Sequence, residues 1–498
     1  MSPFYTSDDN LALLPALILA FFGCAILLAE VALRKSPPKT NRYWILGLAI
    51  AGELLTARAL LEQHSALDNG SDRLAAFHGA LAIDGFALFF NWMFLASALI
   101  VILISYRYLE SEHEEPAEYY GLILLAQCGM YFLATGTDLV TIFVGLELMA
   151  LCFYVLVGFL RGEQRSNEAA MKYFLLGGFS SAILVYGFSL LFGIAGSTGL
   201  KQIGAAIEQH DLRDPVLLVA LGAVLTGLLF KISAVPFHMW APDAYEGAPT
   251  PVTAYLSVGS KAASFALLLR FFLEPLSGMR AAWQPVLIAV AVLSMTVGTL
   301  AAMSQTNLKR MLAYSSISHA GYILLGVVAG NETGIQGIAV YILVYVFANL
   351  GALLVIAALR FKNPGEQGRE EDLSDIAGLA QKNPAYAALM VLFLLSLAGL
   401  PPTAGFLGKY YIFLALIETH HAVLAVLGTL YVAVSVYYYF RIVKAMYTGA
   451  PERSTPHPQL IASSVGVRVA LGITGALTLL IGVYPEPFLL FAGISLLR

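Results

Sequence analysis

The chain has 498 residues, of which 59% are hydrophobic and 12% charged, with a net charge of −4 and a mean hydropathy of +0.76. That leaves too little polar surface to cover a water-soluble chain of this length. With near-neutral charge and no basic tract, nucleic acid is excluded as a partner. The reading is an all-helical polytopic membrane protein.

The opening segment, MSPFYTSDDN, lacks the basic n-region of a signal peptide. The first apolar run is therefore expected to be a retained helix. A hydrocarbon core takes about 20 apolar residues per helix. On that measure spans are expected at 11–33, 43–62, 83–106, 119–136, 138–160, 172–195, 216–245, 252–273, 284–304, 310–329, 335–358, 385–418, 422–447 and 467–492, about fourteen in all. The fourth and fifth are joined only by Gly136-Thr137-Asp138, a tight hairpin. With the N-terminus outside, inward loops hold 18 Lys and Arg residues and outward segments hold 5. This asymmetry supports an even helix count with both termini on the outer, periplasmic side.

Four ionisable residues fall inside spans: Glu147 in the fifth, Lys231 in the seventh, Lys261 in the eighth and Lys409 in the twelfth. Each costs about 2.5–3.5 kcal/mol at the membrane centre on insertion scales. Four together indicate a route for charge, and the cargo they suit is a proton, which every one of them can bind and release. Glu147 is nine residues beyond Asp138, about 14 Å at 1.5 Å per residue, close to the midplane. Lys261 is as far into its own span. His238 follows Pro236 and either relays protons or caps a broken helix. His319 is either a mid-membrane relay or a hydrogen-bonded core histidine. Lys309, beside Arg310 at an inner helix end, marks topology or gates proton entry. Glu53 and Arg58 read as a local pair in the second span. Asp138, Asp243 and Glu246 read as interfacial, and tyrosines 437–439 as interfacial packing.

The seventh and twelfth spans are unusual. Each runs to about 30 residues, more than a straight crossing requires. One contains Pro236, the other Pro401-Pro402 with Gly399, Gly405 and Gly408 nearby. Proline removes a backbone donor and breaks a helix, and interrupted helices at matching places in two halves mark ion sites in transporters. The two lie five spans apart. Residues 119–273 and 284–447 are therefore expected to be inverted five-helix repeats, preceded by a three-helix segment (1–118) and followed by a C-terminal helix (448–498). Cys24, Cys128 and Cys152 lie in separate apolar runs without a CxxC pair, so they read as small packing residues. No metal or redox centre is expected in this chain.

Four segments carry a resemblance: FKISAVPFHMWAPDAYEGAPTPVTAYLSVGSKAA (230–263), VGLELMALCFYVLVGF (144–159), NLKRMLAYSSISHAGY (307–322) and SLAGLPPTAGFLGKYYIF (396–413). They resemble the antiporter-like membrane subunits of respiratory complex I and of multi-subunit sodium/proton antiporters. Residues 172–200 and SSISHAGY look most like the N subunit of bacterial NADH:quinone oxidoreductase. The resemblance implies a proton channel in which Glu147 pairs with Lys231, and Lys261 and Lys409 continue the path. It also implies a bacterial inner-membrane location, neighbouring antiporter-like subunits as partners, and NADH, FMN, iron–sulfur clusters and quinone in other subunits. The competing readings are a subunit of a cation/proton antiporter or membrane-bound hydrogenase, and a stand-alone solute transporter.

Overall fold

In a bilayer every backbone N–H and C=O must be satisfied within the chain, which leaves helices as the economical solution for apolar segments this long. The computed structural model describes residues 6–33, 38–68, 72–360, 371–448, 459–460 and 465–493. Five of its helices begin where a short polar side chain occupies an orphan N–H group of the first turn. Asp84 accepts from Ala87 N, Asp138 from Val140 N, Asp214 from Val216 N, Asn307 from Arg310 N and Asn331 from Gly334 N. Glycines in the left-handed conformation close several of the helices, including Gly196, Gly330 and Gly399.

Among the described residues eleven helices are long and apolar enough to cross a membrane. The fourteen spans expected are reached with three more segments. One is Pro116–Thr135, in which Gln127 and three tyrosines dilute the apolar character. The other two are the broken helices. The first of these is Pro215–Lys231, a turn, and Trp240–Gly247; the second is Pro384–Ala398, a break at Gly399–Thr403, and Ala404–Glu418. The eighth span, Thr250–Leu273, is also irregular, with a π-helical turn at Leu256–Ser260 just ahead of Lys261. A short amphipathic helix, Leu200–Glu208, lies outside the spans. A two-stranded hairpin pairs Arg73–Ala76 with Leu81–Asp84, Arg73 opposite Asp84.

Burial orders the bundle. Thr250–Leu273, Leu308–Ala329 and Glu332–Ala358 are enclosed by other helices along nearly their whole length. Ser7–Leu33 and Ala422–Thr448 turn most of their apolar surface outward. The enclosed helices are thus central, and they carry Lys261, His319, Tyr341 and Tyr345.

The pair expected between Glu53 and Arg58 does not form. Five residues apart on a helix, they lie on different faces, whereas four apart share one. Arg58 accordingly pairs with Glu62 at 3.2 Å on the exposed face, and Glu53 turns inward, 1% exposed. Arg270, in the eighth span, is fully buried. It makes two 3.0 Å bonds to Asp84 and donates to Ala134 O and Glu274, tying the hairpin to the end of that span. Of the loop cations used for orientation, Arg34, Lys35, Lys362, Arg369, Arg453 and Arg498 lie outside the described residues.

Candidate functional site

A proline break frees backbone groups that something else must satisfy. At the first break Val235 N donates to Ser294 Oγ at 2.9 Å and the Trp240 indole to Phe230 O at 3.0 Å. At the second, Lys409 Nζ donates to Leu397 O at 3.0 Å and Ala398 O at 2.9 Å. The two lysines therefore occupy related places. Lys231 is the last residue of Pro215–Lys231, and Lys409 reaches back to the final carbonyls of Pro384–Ala398. The negative end of a helix dipole steadies an ammonium at both.

The fit at the second break is close. Gly399 has φ +79°, and a Cβ there would lie 2.7 Å from Lys409 Cδ. A Cβ on Gly405 would lie 1.7 Å from Ser396 O. Only glycine lets the two half-helices approach and the lysine fold between them. Lys409 Nζ also lies 4.9 Å from the centre of the Tyr322 ring, a cation–π contact.

Lys231, Lys261 and Lys409 are only 6%, 3% and 4% exposed. Lys261 Nζ donates to Ser316 O at 2.9 Å and to Ser316 Oγ. Tyr345 donates to the same Oγ at 2.7 Å. One residue along, Ser315 Oγ meets Tyr439 OH at 2.5 Å. Tyr439 OH is 3.0 Å from His319 Nε2, and His319 Nδ1 is 2.5 Å from Tyr341 OH. A cavity with room for about one water follows, lined by His319, Tyr341, Tyr345, Ser396 and Lys409. His319 lies within electrostatic reach of both Lys261 and Lys409. A neutral imidazole between two hydroxyls donates through one nitrogen and accepts through the other. It can therefore take a proton on one side and release one on the other.

Glu147 is half-buried on Leu139–Val157, its Oε1 enclosed without a hydrogen-bond partner. It lies within electrostatic reach of Lys231, but the two make no ion pair within 4 Å; Lys231 Nζ instead meets Ser181 Oγ at 3.4 Å. The pair implied by the resemblance is thus open in this structure. His238 sits half-buried in the turn of the first broken helix, its Nδ1 without a partner, away from the His319 network.

Lys309 is more than a topological marker. It is 1% exposed, pairs with Glu371 at 2.8 Å and donates to Ala248 O at 2.9 Å. Glu371 also accepts from Thr250 Oγ1 at 2.9 Å, and its carbonyl takes Leu308 N. The loop carrying Glu371 is thereby latched across the ends of the eighth and tenth spans. Beside it Arg310 bonds Asp243 at 2.7 Å and Glu246 at 2.8 Å, and Asp243 binds Lys172 at 2.9 Å. Removing one partner of a buried ion pair costs about 3–5 kcal/mol, whereas replacing both by apolar groups is often neutral. Glu371→Gln is therefore expected to lower the thermal stability of the assembled protein markedly, and Lys309→Met with Glu371→Leu to restore most of it. Thermal dissociation of the detergent-extracted complex measures this. A single variant as stable as wild type would show the pair to be inconsequential.

Tyr438 and Tyr439 correct the expectation of interfacial packing. Both are 1% exposed and only Tyr437 faces outward. Tyr341, Tyr345, Ser315, Ser316 and Glu371 were not singled out from the sequence. A hydroxyl within an apolar run has no periodicity of its own, and only its position opposite a buried lysine or histidine distinguishes it.

The family described as NADH:quinone oxidoreductase/Mrp antiporter, transmembrane, matches residues 136–435. The chain is 59% identical over 498 residues to NADH-quinone oxidoreductase subunit N 2 of Solibacter usitatus, covering 100% of this chain and 99% of that one. It is 42% identical over 493 residues to subunit N of Trichlorobacter lovleyi, covering 98% and 97%. Among solved structures, a chain of respiratory complex I from Thermus thermophilus with bound Aureothin superposes with a TM-score of 0.78 at 33% identity, covering 96% of this chain and 99% of that one. A chain of the Mrp complex from Dietzia shares the fold, with a TM-score of 0.80 at 22% identity over 98% of this chain and 97% of that one. The chain belongs to the family of NADH:quinone oxidoreductase and Mrp antiporter membrane subunits, and its relatives within it are the N subunits.

Proposed function

We propose that this subunit of NADH:quinone oxidoreductase moves protons across the membrane through Glu147, Lys231, Lys261 and Lys409, with His319 as a relay. The observation that carries the reading is two buried hydrogen-bonded sets that meet at adjacent serines, Lys261 with Ser316 and Tyr345, and Ser315 with Tyr439, His319 and Tyr341, the second reaching the cavity at Lys409. Glu147 acts as the switch. In the open arrangement seen here, Lys231 meets Ser181 in place of a carboxylate. Bringing a carboxylate to about 4 Å at an effective dielectric near 20 is worth roughly 4 kcal/mol to the ammonium. Moving one charge through 100 mV takes about 2.3 kcal/mol, so closing and opening the pair is large enough to drive a proton against the membrane potential. Lys309 and Glu371 stand at the inner entrance, and His238 remains a candidate relay at the first break.

The chain contributes no redox chemistry. NADH, FMN, iron–sulfur clusters and quinone belong to partner subunits, and neighbouring antiporter-like subunits flank it in the bacterial inner membrane. Both termini face the periplasm. Residues 119–273 and 284–447 act as two inverted halves, each supplying one broken helix and its lysine. The test is extraction of the tagged chain in mild detergent. It is expected to bring down NADH-oxidising flavoprotein and iron–sulfur subunits, and NADH oxidation in vesicles is expected to drive proton uptake without added Na⁺. Na⁺/proton exchange independent of NADH would assign the chain to an antiporter instead.

A further inference from the structure

The second span holds a carboxyl that the lysine axis does not use. Glu53 lies midway along Pro38–Asp68 and is 1% exposed. Its Oε2 accepts from Gln127 Nε2 at 3.1 Å. Gln127, on the neighbouring Pro116–Thr135 helix, is itself only 2% exposed. Two oxygens of this pair are enclosed with no hydrogen-bond partner: Oε1 of Glu53 and Oε1 of Gln127. Among the described residues no cation lies within ion-pair distance of Glu53, since Arg58 on the same helix is turned outward to Glu62. The titratable group within electrostatic reach from the central helices is Tyr255, whose hydroxyl faces the Met130 sulfur at 3.9 Å.

An ionised carboxylate and an amide carbonyl are both acceptors only. With Glu53 ionised, two buried acceptors would stay unmet, which native interiors avoid. One proton on Glu53 Oε1 supplies the missing donor. A carboxylic acid and a primary amide are complementary: the amide N–H meets one carboxyl oxygen and the acid O–H meets the amide oxygen. The first of these bonds is already in place. We propose that Glu53 and Gln127 form a proton-binding site of this acid–amide kind, separate from the lysine axis. A proton lost from it would set a negative charge beside Tyr255, six residues ahead of Lys261. A bound Na⁺ is the less suitable occupant, because such a hard cation requires more oxygens than the two orphaned here.

Infrared difference spectroscopy of the assembled complex at neutral pH tests this, comparing wild type with Glu53→Gln in H₂O and D₂O. The expected result is one protonated-carboxyl C=O band, present in wild type, lowered in D₂O and lost in Glu53→Gln. An amide at position 53 can keep a hydrogen bond to Gln127, so the variant is expected to assemble. Gln127→Leu gives an independent readout: the same band should move to higher frequency once the acid loses its partner. Carboxylate bands in place of the C=O band would overturn the proposal, as would a carboxylate signal that responds to Na⁺. A band unmoved in Gln127→Leu would overturn the acid–amide pairing.

Discussion

Glu147→Ala is expected to cut proton pumping and the coupled NADH:quinone turnover about tenfold or more while the complex still assembles. The side chain is half-buried, its Oε1 has no hydrogen-bond partner, and among the described residues it makes no ion pair within 4 Å, so its loss removes no structural bond there. In the proposed mechanism it removes the carboxylate that Lys231 meets when the pair closes. That contact is worth roughly 4 kcal/mol at about 4 Å and a dielectric near 20, and each 1.4 kcal/mol is about a factor of ten. Glu147→Asp keeps the charge one methylene further back and should retain part of the activity. The check is the rate of NADH-driven proton uptake per assembled complex. An assembled Glu147→Ala complex that pumps at the wild-type rate and stoichiometry would remove Glu147 from the mechanism.

The four mid-span residues were legible in the sequence because a charge inside an apolar run is its own signal. Glu147, Lys231, Lys261 and Lys409 each interrupt a stretch with no other reason to be polar. The two broken helices were legible for a similar reason, since Pro236 and Pro401-Pro402 stand in segments too long for a straight crossing. The proposed relay between Lys261 and Lys409 was not. Its hydroxyls come from helices distant in the chain, Ser315 and Ser316 facing Tyr345 and Tyr439, and a serine or tyrosine in an apolar span has many ordinary uses. Glu371 was hidden because a loop acidic residue is solvated by default; it becomes a buried partner only when the loop is laid against Lys309. Glu53 was misread because a cation five positions away looked near, although helical geometry favours four. The π-helical turn ahead of Lys261 leaves no mark in composition, since Leu256–Ser260 reads as an ordinary apolar helix.

Lys261 is where the proposed proton path is tested most directly, because that path runs through it between Lys231 and Lys409. As a carrier it must release its proton as well as hold it. Lys261→Ala removes the carrier and is expected to stop pumping nearly completely. Lys261→Arg preserves positive charge and can still donate towards Ser316, but a guanidinium does not give up its proton in a protein. Arginine should therefore also impair pumping severely, while supporting assembly better than alanine. Were Lys261 only a fixed charge balancing a carboxylate, alanine would be harmful and arginine nearly silent. The measurement is proton uptake in membrane vesicles energised by NADH, normalised to assembled complex, for wild type, Lys261→Arg and Lys261→Ala. Loss of most uptake in both variants is the predicted result, and wild-type uptake in Lys261→Arg would contradict proton transfer through this lysine.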